Sequence, residues 1–239
     1  MVIKRISFIS GSIAHSSFGG IGVSYYLGAN PLGGAVAFGL LTGLIIGVIR
    51  KKFKQQEDTL IGALWALGMA IGIIFVQLTP GYASDLFSYL FGNILLTTRS
   101  DIFLLFALNG VILLTVILLF RSLQAITFDE EYATILNLPV FPLYLILLGL
   151  VALTTVILIK VVGVILVIAL LTLPAAAAKN ISNDLAPLMA WATVFGVVST
   201  ITGIFLSYFL NLPSGPLIIF AITAIYGVTL YKKLLHRNA

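Results

Sequence analysis

Runs of about 20 apolar residues succeed one another along the whole chain and leave room for little besides a bundle of membrane-crossing helices. A bilayer core of about 30 Å takes roughly 20 helical residues to cross. In hydrocarbon each backbone polar group must also be satisfied within its own segment, which a helix achieves. Eight stretches qualify: residues 8–27, 32–49, 59–79, 101–120, 141–159, 161–178, 187–209 and 216–231. The first is the least apolar, and the fifth and sixth are separated only by a turn near Lys160. Asp85 to Leu96 is too short to cross and lies between two spans on the same side, which predicts a re-entrant or interfacial segment. No linker or low-complexity stretch divides residues 1–239, so one all-α transmembrane domain of about eight helices is expected.

Composition excludes the alternatives. Apolar residues make up 60% and charged residues 9% of the chain, against about one half and one quarter in soluble globular domains. The absence of cysteine removes disulfides, thiolate metal sites and thiol redox chemistry together. The opening Met-Val-Ile-Lys-Arg is similar to a signal-peptide start, but Ser, Gly and His interrupt the apolar run after it and no small-residue cleavage site appears. The segment is therefore expected to be retained.

The basic residues are distributed to one side. Lys4, Arg5, Arg50, Lys51, Lys52, Lys54, Arg121, Lys179, Lys232, Lys233 and Arg237 fall there, and only Arg99 and Lys160 fall on the other. Positive residues mark cytoplasmic loops. Both termini and the loops at Arg50–Asp58, Arg121–Pro139 and Lys179–Pro187 are thus expected in the cytoplasm, with the chain in the cytoplasmic membrane. Basic residues spread over loops in this way point to the lipid bilayer and not to a nucleic-acid partner.

Small residues recur at helical spacing in the second span (Ala35, Gly39, Gly43, Gly47) and in the third (Gly62, Ala66, Ala70). Such stripes let helices pack closely in lipid, and packing within the bundle is the expected use. No Asp or Glu lies inside a span: Asp85 and Asp101 sit at outer ends and the other acids are cytoplasmic. Carriers coupled to protons or sodium ordinarily hold ionisable groups near the midplane. An arginine ladder, a potassium-type filter and a phosphate-binding Gly-Lys loop are also missing. A chain of this kind that moved a solute uphill would have to draw its energy from another subunit.

Arg121 to Pro139 is the compact polar island that such a subunit could grip. It holds three consecutive acids, Asp129, Glu130 and Glu131. A short helix is expected to start at Thr127 or Asp129 and to stop at Asn137, since Asn tolerates the left-handed position and Pro139 blocks continuation.

An ordered set of motifs resembles the membrane permease subunits of ATP-binding cassette importers for zinc, manganese or iron. Lys4-Arg5-Ile6-Ser7-Phe8 with Ala14-His15-Ser16 is similar to that family's opening and its histidine signature. Thr79-Pro80-Gly81-Tyr82 with Leu90-Phe91-Gly92-Asn93-Ile94-Leu95 is similar to its outer segment. Phe128-Asp129-Glu130-Glu131-Tyr132-Ala133 with Leu138-Pro139-Val140 looks like its coupling helix. Val162-Gly163-Val164-Ile165-Leu166, Leu173-Pro174-Ala175-Ala176-Ala177-Ala178 and Leu212-Pro213-Ser214-Gly215 complete the series. The family usually has one more hydrophobic helix ahead of the opening motif. It often has Asp four residues before the histidine and just before Leu-Pro-Ser-Gly, where this chain has Gly11 and Asn211.

The resemblance implies a transport subunit that is not itself an enzyme and holds no cofactor. It implies a second copy of itself, cytoplasmic ATPase subunits docked on Thr127 to Leu138, and an extracytoplasmic metal-binding protein. Thr127, Phe128, Asp129, Glu130, Glu131, Tyr132 and Ala133 carry the coupling motif. Acids there would face basic residues of the ATPase, and Phe128, Tyr132, Ile135 and Leu136 would be apolar anchors. The cargo would be a divalent metal, zinc foremost, with manganese or iron as alternatives. A passive facilitator without an ATPase and a permease for an iron chelate are the competing functions.

Two residues stand out as pathway candidates. His15 is the sole histidine within a span, and ionisable side chains there face a cavity or a partner helix. Its neutral imidazole suits borderline divalent ions; hydrogen bonding to a neighbouring helix is the plainer role. Asp85, with Ser84, Ser88, Tyr89 and Asn93, offers oxygen ligands on the outer segment, or else caps a short helix. Asp101 is expected to N-cap the fourth span, and His236 to be solvated in the basic tail. Pro174 and Pro213 are hinges or simple helix breakers.

Overall fold

The computed structural model describes residues 7–52, 57–80, 89–90, 92 and 98–238. Its helices are α1 (Ser7–Tyr26), α2 (Pro31–Lys52), α3 (Glu57–Leu78), α4 (Arg99–Leu118), α5 (Phe120–Phe128), α6 (Glu130–Ile135), α7 (Val140–Val162), α8 (Val164–Lys179), α9 (Leu185–Leu210) and α10 (Ser214–Asn238). All the described regular structure is helical, as the apolar runs require. Among the described residues, six helices are long and apolar enough to cross a membrane: α2, α3, α4, α7, α9 and α10. The expected count of eight is reached only if α1 and α8 are added. Helix α8 has 16 residues, about 24 Å at 1.5 Å per residue, and α1 is long enough but polar.

The polarity of α1 reflects its position. Every residue from Ile9 to Gly22 is buried, because α2, α3, α7 and α8 all pack against this helix. A helix surrounded by protein needs no apolar face toward lipid; it needs side chains small enough for its neighbours to approach. A methyl group on Gly19 would sit 2.7 Å from the Gly68 carbonyl oxygen of α3, and one on Gly20 would run into the Gly34 carbonyl of α2. These are backbone-to-backbone contacts. The apolar remainder of α1 (Ile13, Ala14, Phe18, Ile21) joins Val156, Ile159 and Leu148 of α7 and Val164 and Val167 of α8 in two adjoining core clusters.

The small-residue stripe of the second span packs inside the bundle. Ala35 is buried, a Cβ on Gly39 would lie 2.7 Å from the Ser17 hydroxyl, and Gly43 lies against Leu148. The third-span stripe does not. Gly62, Ala66 and Ala70 are exposed, and the contact face of α3 is set instead by Gly68 and Gly72, which meet Ser16 and Phe18. The two sets lie on opposite faces of one helix, and small-residue spacing alone does not choose between them.

The break between α7 and α8 falls at Gly163, three residues beyond the expected Lys160. Gly163 has φ 80° and ψ 163°, a region open essentially to glycine alone. A Cβ there would also strike the Leu90 carbonyl and lie 2.5 Å from the Gly92 amide nitrogen. Gly163→Ala should therefore lower the melting temperature of the detergent-purified protein, at a cost of about 1–3 kcal/mol for the backbone conformation alone. Gly62→Ala, with nothing within 4 Å of the added methyl, should leave it unchanged or raise it.

Candidate functional site

His15 lies at the centre of the buried helix, 9% exposed. Its ring stacks on Trp65 of α3 with centroids 4.3 Å apart and planes 21° from parallel. One turn earlier, a Cβ on Gly11 would run into the same indole and lie 2.8 Å from the Ile168 side chain. An aspartate in place of Gly11 would thus collide with Trp65: the indole occupies the space such a carboxylate would need. The Nδ1 atom of His15 has no hydrogen-bond partner among the described residues, nor do the buried hydroxyls of Ser12, Ser17 and Thr155. Ser16, by contrast, donates to the Leu64 carbonyl oxygen at 3.1 Å. Trp65 is not legible as a site residue from sequence, because an aromatic within an apolar run looks like any lipid-facing one.

Asp85, Ser84, Ser88 and Asn93 lie outside the described residues. Tyr89 is described and buried, and the Lys160 ammonium sits 5.2 Å above its ring centre. Lys160 also pairs with Asp101 at 3.0 Å, with side chains only 12% and 14% exposed, which joins the last turn of α7 to the first of α4. Asp101 is not the N-cap. Thr98 holds that position, its hydroxyl accepting from the Asp101 amide at 3.2 Å while Asp101 Oδ2 accepts from the Thr98 amide at 3.0 Å. The reciprocal capping box explains why the acid sits three residues into the helix. A lone Lys and a lone acid at the outer ends of two spans are the available sequence signal for the pair.

The other end of the bundle carries the handle. Asp129 is the N-cap of α6, its carboxylate accepting from the amides of Glu131 at 2.9 Å and Tyr132 at 3.0 Å. Thr127 is not a helix start; it lies in the last turn of α5, its hydroxyl donating to the Leu123 carbonyl at 2.6 Å. Asn137 takes the left-handed conformation, φ 56°, as expected ahead of Pro139. Ala133 faces inward among Leu123, Ile126 and Leu143. Phe128, Tyr132, Ile135 and Leu136 face outward, with Ile135 76% exposed. The acids divide: Glu131 is exposed, whereas Glu130, part-exposed, pairs within the chain with Arg50 at 3.2 Å. Asn211 is also explained by backbone, ending α9 at φ 52°. His236 falls within α10, and its side chain lies outside the described residues.

The fold and its two polar ends define a polytopic helical membrane protein with a buried polar helix and, at one end, a short exposed helix. The ABC 3 transport family model matches residues 1–233. The chain belongs to that family, and the resemblance carried by the ordered motifs holds. It is 46% identical over 230 residues to an uncharacterized membrane protein of Synechocystis sp., covering 96% of this chain and 82% of that one. To the manganese transport system membrane protein MntC of Halalkalibacterium halodurans it is 31% identical, covering 97% and 79%. It also superposes on the solved structure of PsaBC from Streptococcus pneumoniae in complex with Fab, with TM-score 0.86 and 31% identity, over 95% of this chain and 82% of that one.

Asp101→Asn should destabilise the purified protein by on the order of 3 kcal/mol, because it leaves the Lys160 charge nearly buried without its partner. The double variant Asp101→Asn/Lys160→Met should recover much of that loss, as chemical or thermal denaturation of both proteins would show.

Proposed function

We propose that the chain is the permease subunit of an importer that carries a divalent metal ion through the cytoplasmic membrane and is driven by a separate ATPase. The observation that carries this reading is the handle. A short helix is capped by Asp129, anchored from beneath by Ala133, and presents Phe128, Tyr132, Ile135 and Leu136 at the end rich in basic residues. Exposed apolar side chains beside charges are the anatomy of a protein contact. A passive facilitator has no use for such a surface. The basic end faces the cytoplasm by the positive-inside rule, so the handle meets the ATPase there. A second copy completes the pore, and an extracytoplasmic binding protein delivers the ion at the opposite end.

Manganese stands ahead of zinc as the cargo. The name of the Halalkalibacterium relative supports manganese, and the chain has no thiolate, a ligand type that suits zinc and not manganese. ATP-driven closure of the ATPase pair would push on the handle and bias the bundle between two accesses by a rigid-body shift.

Ile135→Asp should abolish co-purification of the ATPase and reduce manganese uptake at least tenfold while the permease still reaches the membrane. Uptake and pull-down at wild-type levels would remove the handle from the mechanism. His15→Ala should leave the ATPase bound but lower uptake of labelled manganese. Rescue of a cell lacking this chain by added zinc, and not by manganese, would overturn the choice of cargo.

A further inference from the structure

The last turn of α2 reaches across the bundle to the handle. Arg50 Nη2 lies 3.2 Å from Glu130 Oε1 at the start of α6, residues 80 apart in the chain. The same guanidinium sits 4.3 Å above the ring centre of Tyr144 in α7, and the Lys51 ammonium sits 4.4 Å above that of Phe141. Beside them α2 packs on α7, where a Cβ on Gly47 would run into the Leu145 side chain. A cleft of about 440 Å³ there is lined by Gly47, Arg50, Lys51, Glu130, Phe141 and Tyr144.

From this end α2 runs for 22 residues, about 33 Å at 1.5 Å per residue. Along its length it is keyed to the buried helix: the Gly34 and Gly20 backbones are in contact, and Gly39 sits over Ser17. A packed helix moves as a rod, so a displacement of its Arg50 end is delivered to the helix that carries His15. The ion pair is partly exposed, at 29% and 38%, and pairs of that kind add little to static stability. Its place at the junction of handle and rod gives it a different use.

We propose that Arg50 is a positioning residue that ties the handle to α2, so that force from the ATPase reaches α1 through α2 as well as through α7. This rests on the importer reading and names the element that transmits its drive. Glu130 then works inward, toward Arg50, and not toward the ATPase.

The test uses the permease with its ATPase and binding protein in proteoliposomes, measuring manganese accumulated per ATP hydrolysed. Arg50→Gln should lower that ratio at least fivefold with the ATPase still bound, and Glu130→Arg should do likewise. The exchange Arg50→Glu/Glu130→Arg should restore at least a third of the wild-type ratio, because the tie is rebuilt with its charges reversed. Should Arg50→Gln fail to assemble, Arg50→Lys tests the same contact and should lose less. Single variants with a wild-type ratio, or an exchange no better than Glu130→Arg alone, would overturn the tie; the second result would assign Glu130 to the ATPase contact. A wild-type assembly that binds no ATPase, or accumulates neither manganese, zinc nor iron, would overturn the importer reading, and this inference with it.

Discussion

Backbone-to-backbone contact of α1 with α2 and α3 is the constraint on which the rest of the architecture depends. Between helices in lipid there is no hydrophobic driving force of the kind water supplies, and association rests on close packing and polar contacts. Gly19 against Gly68, Gly20 against Gly34 and Gly22 against Gly72 provide that closeness. Once α1 is enclosed, its serines and His15 are removed from hydrocarbon, and the surrounding helices alone meet the lipid. The least apolar run in the chain is therefore at the centre, and the most apolar runs surround it.

The charged residues obey a complementary rule. They lie near helix ends, where long side chains can reach partners or water, and several link one element to another. Asp101 and Lys160 join α4 to α7 at one end. At the other, Arg50 joins α2 to α6, and Lys233 Nζ approaches Asn180 Oδ1 at 3.5 Å, linking α10 to the end of α8. Among the described residues the interior is left mainly to small and apolar side chains, with His15 buried among them.

Much of the fold is legible in the residues, since runs of about 20 apolar positions encode spans directly. The handle is legible too, because Asp129, Asn137 and Pro139 act through local backbone chemistry that spacing reveals. The less visible features depend on contacts distant in sequence. Nothing near Trp65 says that it lies on His15, and nothing near Glu130 says that Arg50 claims it. Asp101 draws the eye as a cap three residues too late, because Thr98, the true cap, looks ordinary in a loop of Thr, Arg and Ser. The outward turn of Gly62, Ala66 and Ala70 shows the same limit: a helical period defines a face without saying which neighbour it meets.

Helix α4 has no buried residue along its 20 positions, and the side chains of Asn109 and Thr115 turn their donors back onto its own carbonyls at 3.1 and 2.8 Å. It is fastened by Asp101 at one end and continues into α5 at the other. Along its length its inner side packs on α7, with Leu104 against the core cluster. Since α5 leads directly into α6 and α6 into α7, the handle is slung between α4 and α7, and any movement of it has to be taken up by both.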